Sequence, residues 1–265
     1  MKCLSLVLVG VGCMLFQGAQ ATLLFSDAFN YNAGALGGNN NPGGNAWQGG
    51  ATGLSIVSGN LTYTGLPDQG GNELQIANGA AGTSYITFAN QTSGQIYYSF
   101  LFNASVVDSA NTYFTAMNPG TTAPAGGADA IDAYYYSSGK MEIRGNAQSA
   151  QAGTGTALTL GTTYLIVEEI DLTAKTASLW INPSSSSFGG TAPTATANLS
   201  SLTATAIDNV GFKTQTGTGT FLVDNLLIGT TWADVTSAVP TPEPTTCALA
   251  GLGLLGLVLA RRMRK

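Results

Sequence analysis

The segment "VEEIDLTAKT" (167–176) holds the residues whose types and spacing come nearest to catalysis. On a strand, side chains two apart share a face, so Glu169 and Asp171 would project together with Leu165 and Val167. Paired carboxyls are what glycosidic-bond hydrolysis uses, one as acid and one as base or nucleophile. The structural alternative is a solvated strand face ahead of a hairpin turn. Saccharide binding needs exposed aromatic faces beside polar groups. Trp47, in a Gly/Asn-rich loop, and Tyr134 and Tyr136, which alternate to one side of Tyr135, are the candidate glycan contacts. Core or rim packing is open to each of them, as it is to Trp180 and Trp232.

Other chemistries are excluded by what the chain lacks. It contains no histidine, which removes Ser-His-Asp and Cys-His catalysis, His-ligated zinc and His proton relays. No Gly-rich loop carries the Lys-Ser/Thr of a phosphate-binding loop. Between residues 22 and 239, thirteen acids face four bases, for a net charge of −9. Nucleic acid is therefore not expected as a partner. Of those bases, Lys140 and Arg144 flank a short strand and read as solubilising charges. The cysteines are Cys3, Cys13 and Cys247, so the domain between has to be stable without disulfides.

The elements that must position these residues read as strands. They are 22–29, 54–65, 84–89, 95–104, 111–117, 130–145, 162–182, 206–212 and 220–229, rich in Thr, Tyr, Ile, Val and Phe. Ser58-Gly59-Asn60, Ser138-Gly139 and Thr173-Ala174-Lys175 are expected to turn three hairpins. Many strands, polar turns and no interleaved helices predict an all-β sandwich; a β-helix would need a repeat, and none is present. Two stretches read as loops: the Gly/Asn-rich 34–50, too polar to pack as an element, and the Ser/Thr-rich 182–206. The segment 206–235 is expected to complete the same sheet.

The opening "LLFSDAFNYNAGALGG…NAWQGG", the "IDLTAKTASLWINP" hairpin and the closing "FLVDNLLIGTTWADV" resemble a concanavalin A-like, laminin-G-like jelly roll over most of 22–235. The resemblance implies an antiparallel jelly-roll β-sandwich more than an activity. Laminarinase-type hydrolases on this fold use Glu-x-Asp-x-(x)-Glu, which would ask for a further Glu at 173 or 174. Thr173 and Ala174 stand there, so the pattern lacks its general acid. In jelly rolls the first and last strands lie side by side, which would bring Asp27 to Asp224 and Asn225 around a structural calcium ion. The alternative is that these groups cap turns or accept backbone N–H bonds. No other cofactor is expected.

The two ends carry addresses. Lys2, the apolar run 4–16 and Ala19-Gln20-Ala21 form a secretory signal peptide over 1–21, cut after Ala21. After the sandwich domain at 22–235 come a Pro-rich linker (236–246), an apolar segment (247–260) and a basic tail (261–265). As a helix, fourteen residues span ~21 Å, short of the ~30 Å hydrocarbon core. Arg261, Arg262 and Arg264 would snorkel and hold the cytoplasmic side. Pro242-Glu243-Pro244, then the short Gly/Leu-rich helix, then the arginines resemble the PEP-CTERM sorting signal. That resemblance implies export from a Gram-negative-type bacterium and cleavage by a membrane exosortase. Release or attachment at the cell surface or matrix would follow. A plain single-pass membrane anchor is the alternative. The expectation for the whole chain is a non-catalytic, surface-sorted sandwich protein with polysaccharide as a ligand. A degenerate carbohydrate-active enzyme and a purely structural matrix component are the alternatives.

Overall fold

The computed structural model describes residues 23–109, 111–120, 129–146 and 149–237. The signal peptide, the Pro-Glu-Pro motif, the apolar segment and the basic tail lie outside the described residues. The strands in chain order begin with β1 (Leu23–Asp27), β2 (Gly34–Ala35), β3 (Gln48–Gly49), β4 (Leu54–Ser58) and β5 (Asn72–Ala77). Next come β6 (Gly82–Gln91), β7 (Gln95–Val106), β8 (Thr112–Asn118), β9 (Ile131–Tyr135) and β10 (Lys140–Gly145). The last are β11 (Ala150–Ala157), β12 (Tyr164–Asp171), β13 (Thr176–Ile181), β14 (Ala197–Leu199), β15 (Ile207–Thr214) and β16 (Thr220–Gly229). A single turn of α-helix, α1 (Trp232–Thr236), follows. Among the described residues no helix is long and apolar enough to cross a membrane.

The strands make two antiparallel sheets packed face to face. One has nine strands in the order β14-β13-β12-β7-β16-β5-β4-β2, with β1 also paired to β16. The other has seven, β11-β10-β9-β8-β15-β6-β3. The register of β16 shifts between Asp224 and Leu227. Before that shift its outer edge pairs with β5, and after it with β1. First and last strands thus lie together, as expected.

Alternation builds the core. On β7, Ile96, Tyr98, Phe100 and Phe102 point between the sheets, where Phe102 meets Phe114, Tyr135 and Phe221. The alternate residues Tyr97 and Leu101 face outward, yet they too are buried. They join Leu61, Val167, Trp180 and Trp232 in a second cluster on the outer face of the nine-stranded sheet. The Ser/Thr-rich segment and α1 roof this cluster: Trp180 Nε1 donates to Pro193 O and Trp232 Nε1 to Ser187 O. A capping box between Thr231 and Asp234 fixes α1. Thr236 is fully buried, so the folded domain runs past 235.

Two of the three expected hairpins form. At Ser138-Gly139, Gly139 takes φ +77° and its N–H donates to Tyr136 O. At 173–175, Asp171 Oδ1 accepts the N–H groups of Thr173 and Ala174, and Lys175 holds φ +60°. The turn at 58–60 does not form. The strand ends at Ser58, β4 pairs with β5 instead, and Leu61 leaves the sheet to donate its N–H to Asp224. Gly59 is pressed against Glu73, where a Cβ would sit 2.1 Å from the carboxyl oxygen. The segment 34–50 does pack. Asn39 and Asn41 tie its turns through their amides, and it delivers Leu36 and Trp47 to the core.

Candidate functional site

The outer face of the seven-stranded sheet gathers the site. On β9, Ile131, Ala133 and Tyr135 point into the core, so Asp132 and Tyr134 point away from it. On β10, Met141 and Ile143 point in and Glu142 and Arg144 out. The register sets Arg144 opposite Asp132 and Glu142 opposite Tyr134. Arg144 Nε lies 2.6 Å from Glu142 Oε1, and its Nη2 donates to the Tyr136 hydroxyl. That hydroxyl donates in turn to Glu142 Oε2 at 2.7 Å. The guanidinium sits 3.9 Å above the Tyr134 ring, a cation–π contact. Tyr134 stacks on Tyr113 at 5.5 Å, and Lys213 lies over Tyr113 and donates to its hydroxyl.

Burial pushes the Tyr134 phenol up to about 12 and raises Tyr136 in the same direction, so both stay protonated and can donate hydrogen bonds. Burial pulls the Lys213 ammonium down. Beside this cluster runs a groove of about 270 Å³, lined by Tyr136, Ser138, Lys140, Glu142, Gly153 and Gly155. Gly153 on edge strand β11 faces Glu142, and a Cβ there would already meet its carboxyl at 3.4 Å. The glycine keeps the groove open. Arg144 is therefore no solubilising charge: its side chain is only 16% exposed, and it contacts Glu142, Tyr136 and the Tyr134 ring. The signal was present in "KMEIRG", whose alternation separates Glu142 and Arg144 from two core residues. Tyr113 and Lys213 had no such local signal, because sheet pairing alone brings them here.

The three expected glycan contacts divide. Trp47 is 1% exposed, wedged among Phe25, Phe29 and Phe212, with Nε1 donating to Asp27 Oδ2 at 2.8 Å. It is a core residue and offers no platform. Tyr134 is 5% exposed because Arg144 covers its face, so it supports the site from below. Tyr136 is half-buried and borders the groove. Trp180 and Trp232 pack edge to face at 5.1 Å in the second cluster.

The calcium expectation fails on strand geometry. Asp27 follows Phe25 on the inner face of the nine-stranded sheet, where it accepts from Phe29 N, Tyr31 Oη and Trp47 Nε1. Asp224 lies on the outer face, accepting from Leu61 N and Asn225 N. Adjacent strands hold the two carboxyls on opposite sides of one sheet, and Asn225 contributes its N–H to Asp224. Among the described residues no three Asp, Glu or Cys side chains converge as a metal site.

The carboxyls of β12 and that of Asp132 are structural or sealed. Asp171 caps its turn, and Glu169 is 9% exposed and accepts from Gln95 Nε2, so the pair does not form a solvated face. Glu168, one residue before, points inward between Ile166 and Ile170. Burial lifts its carboxyl to about 8, and Oε1 has no hydrogen-bond partner among the described residues. Asp132, lifted to about 10 by burial and by Asp129, is likewise 1% exposed.

Among solved structures the chain is similar to Trypanosoma rangeli sialidase in complex with a difluoro-KDN. The identity is 9% and the TM-score 0.43, over 77% of this chain and 31% of that one. It spans about a third of the sialidase chain. It is also similar to a glycosyl hydrolase family 16 protein from Mycobacterium smegmatis, at 11% identity and TM-score 0.45, over 78% and 100% of the two chains. Lectin I-B4 from Griffonia simplicifolia gives 10% identity and TM-score 0.39, over 66% and 92%. No curated protein matches the chain. Residues 240–265 match the PEP-CTERM protein-sorting motif, which marks this β-sandwich as an exported, sorted protein.

Proposed function

We propose that this chain is a non-catalytic glycan-binding protein of the bacterial envelope or extracellular matrix, a jelly-roll sandwich of the concanavalin A-like kind delivered through an exosortase. The observation that carries the glycan reading is the groove beside Tyr136. The half-buried Tyr136 ring with its phenol, the Glu142 carboxylate that Arg144 holds and the exposed Lys140 border one opening. An aromatic face with converging polar groups suits a sugar ring, whose C–H face stacks and whose hydroxyls bond. A hydrolytic role needs two carboxyls around one bond. The groove offers only Glu142, already bonded to Arg144 and Tyr136, while Asp132 and Glu168 are closed to solvent.

Retention on immobilised neutral and acidic polysaccharides tests this reading. The wild type is expected to be retarded on at least one. Tyr136→Ala is expected to lose about tenfold in affinity, the ~1.4 kcal/mol of one stacking contact. Equal, unretarded elution of both proteins on every matrix would refute glycan binding. The sorting reading has its own test. Mass spectrometry of the mature protein from its host is expected to find chain ends at Thr22 and near Pro244. An intact C-terminus at Lys265 would favour a plain membrane anchor.

A further inference from the structure

The opposite face of the sandwich holds another groove, of about 510 Å³, lined by Thr62, Tyr63, Thr64, Thr163, Asn182, Pro183, Ser184 and Ser185. Its position follows from the second hydrophobic cluster. Tyr63 and Phe188 pack on Leu61, Trp180 and Trp232, on the outer side of the nine-stranded sheet. The Tyr136 groove lies on the outer side of the other sheet, so the two openings face away from each other.

The walls are preformed. Gly65 takes φ +94° and runs so close to the facing segment that a Cβ would meet Ser185 Cβ at 3.1 Å and Phe188 Cε2 at 3.2 Å. Asn182 holds φ +48°, with its side-chain oxygen accepting from Leu165 N at 2.9 Å. Ser184 caps the short 3₁₀ turn Ser185–Ser187. Against these fixed turns the Tyr63 ring leans on Phe188 at 6.4 Å.

The chemistry is uniform. The lining holds no Asp, Glu, Lys or Arg, only hydroxyls, an amide, a proline and one half-buried aromatic ring. Such a surface has nothing to pair with a charged ligand. It matches a neutral, hydroxyl-rich one that lays an apolar face on a ring, and its volume falls in the usual range for small-ligand sites, ~300–1,000 Å³.

We propose that this is a second saccharide site, selective for uncharged glycans, and that the domain joins two polymer chains through its opposed grooves. The inference rests on the glycan reading of the Tyr136 groove. Two sites on one rigid body convert weak single contacts into a network, because each captured chain raises the local concentration of the next.

Calorimetry with a neutral hexasaccharide set (cellohexaose, laminarihexaose, maltohexaose) reads the stoichiometry, and turbidity with the matching polymers reads cross-linking. The wild type is expected to bind two hexasaccharides per chain and to cloud the polymer solution. Tyr63→Ala is expected to bind one and leave the solution clear. Because Tyr63 also packs on the second cluster, Thr64→Arg, at an exposed position in the groove wall, serves as a companion with little risk to folding. It should behave like Tyr63→Ala. Tyr136→Ala should likewise fall to one site and lose turbidity. If both groove-wall variants keep wild-type stoichiometry and turbidity, the second site is refuted while the Tyr136 reading stands. If Tyr136→Ala binds as the wild type and Tyr63→Ala binds nothing, the Tyr136 reading and the two-site scheme both fall. An absence of binding by the wild type refutes the second site, and the Tyr136 reading falls with it if acidic polysaccharides also fail to retain the protein.

Discussion

Glu168→Gln is expected to stabilise the protein at pH 8 and to give no stabilisation at pH 4. The carboxyl titrates at about 8 in the fold against an ordinary 4.5, and burial is the cause. Below pH 4.5 it is protonated in both folded and unfolded chains and carries no ionisation penalty. As pH rises from there, the unfolded chain releases the proton and the folded one keeps it, so stability falls with pH. Above about 8 the folded carboxyl ionises as well and the penalty levels off. A window of about 3.5 units at 1.36 kcal/mol each implies a penalty of order 4 kcal/mol at pH 8. Glutamine removes that penalty. It leaves a buried amide whose unmet hydrogen bonds cost ~1–3 kcal/mol. The net gain is therefore about 1–3 kcal/mol at pH 8. Asp132, held up to about 10, gives both proteins the same falling trend, so the informative quantity is the difference between them. Urea melts of the two proteins at pH 4, 6 and 8 measure it. A loss of equal size at all three values would mean that Glu168 ionisation is not linked to folding.

Trp47→Ala is expected to cost ~3–5 kcal/mol, the range for emptying a large aromatic site in a packed core. The ring fills the space between Phe25, Phe29 and Phe212, joining the nine-stranded sheet to the seven-stranded one. Its N–H is also one of three donors that hold the Asp27 carboxyl against the upward push of burial. Trp47→Phe keeps most of the volume and removes that donor, so a smaller loss of ~1–3 kcal/mol is expected. Combining it with Asp27→Asn should cost less than the sum of the two single changes, since both break one interaction. Additive denaturation free energies would show that the Asp27–Trp47 bond contributes nothing.

These two residues also show where the sequence was legible and where it was not. Contiguous signals came through. The strand 220–229 has the expected limits, the turns at 138–139 and 173–175 form, and the sorting motif needs nothing beyond its own twenty-six residues. Signals made by pairing did not. Trp47 sits among glycines and asparagines that suggest a loop, and only its partners across the sandwich reveal a core residue. The strands 72–77 and 150–157 were missed. The first buries Glu73 beside Leu74 and Ile76, and the second, "AQAGTGTA", offers the core only the small side chains of Ala150 and Ala152. Both are strands because a neighbour supplies the hydrogen bonds. Glu168 was within reach, since the alternation that sets Glu169 outward also sets its predecessor inward. The candidate site was half legible: Tyr136 by its parity, but Tyr113 and Lys213 only by the meeting of β8, β9 and β15.

The pairing of Leu23 with Gly229 gives the molecule a polarity. The chain begins β1 beside the end of β16, although these are the first and last strands in sequence order. A fluorescent or affinity partner fused ahead of Leu23 would therefore sit at the pole where β16 ends. Joining the two ends by a short linker and reopening the chain at the exposed Ser137-Ser138 turn should preserve the fold while moving both termini elsewhere. The natural arrangement gathers the start of β1 and the end of β16 at one pole of the sandwich.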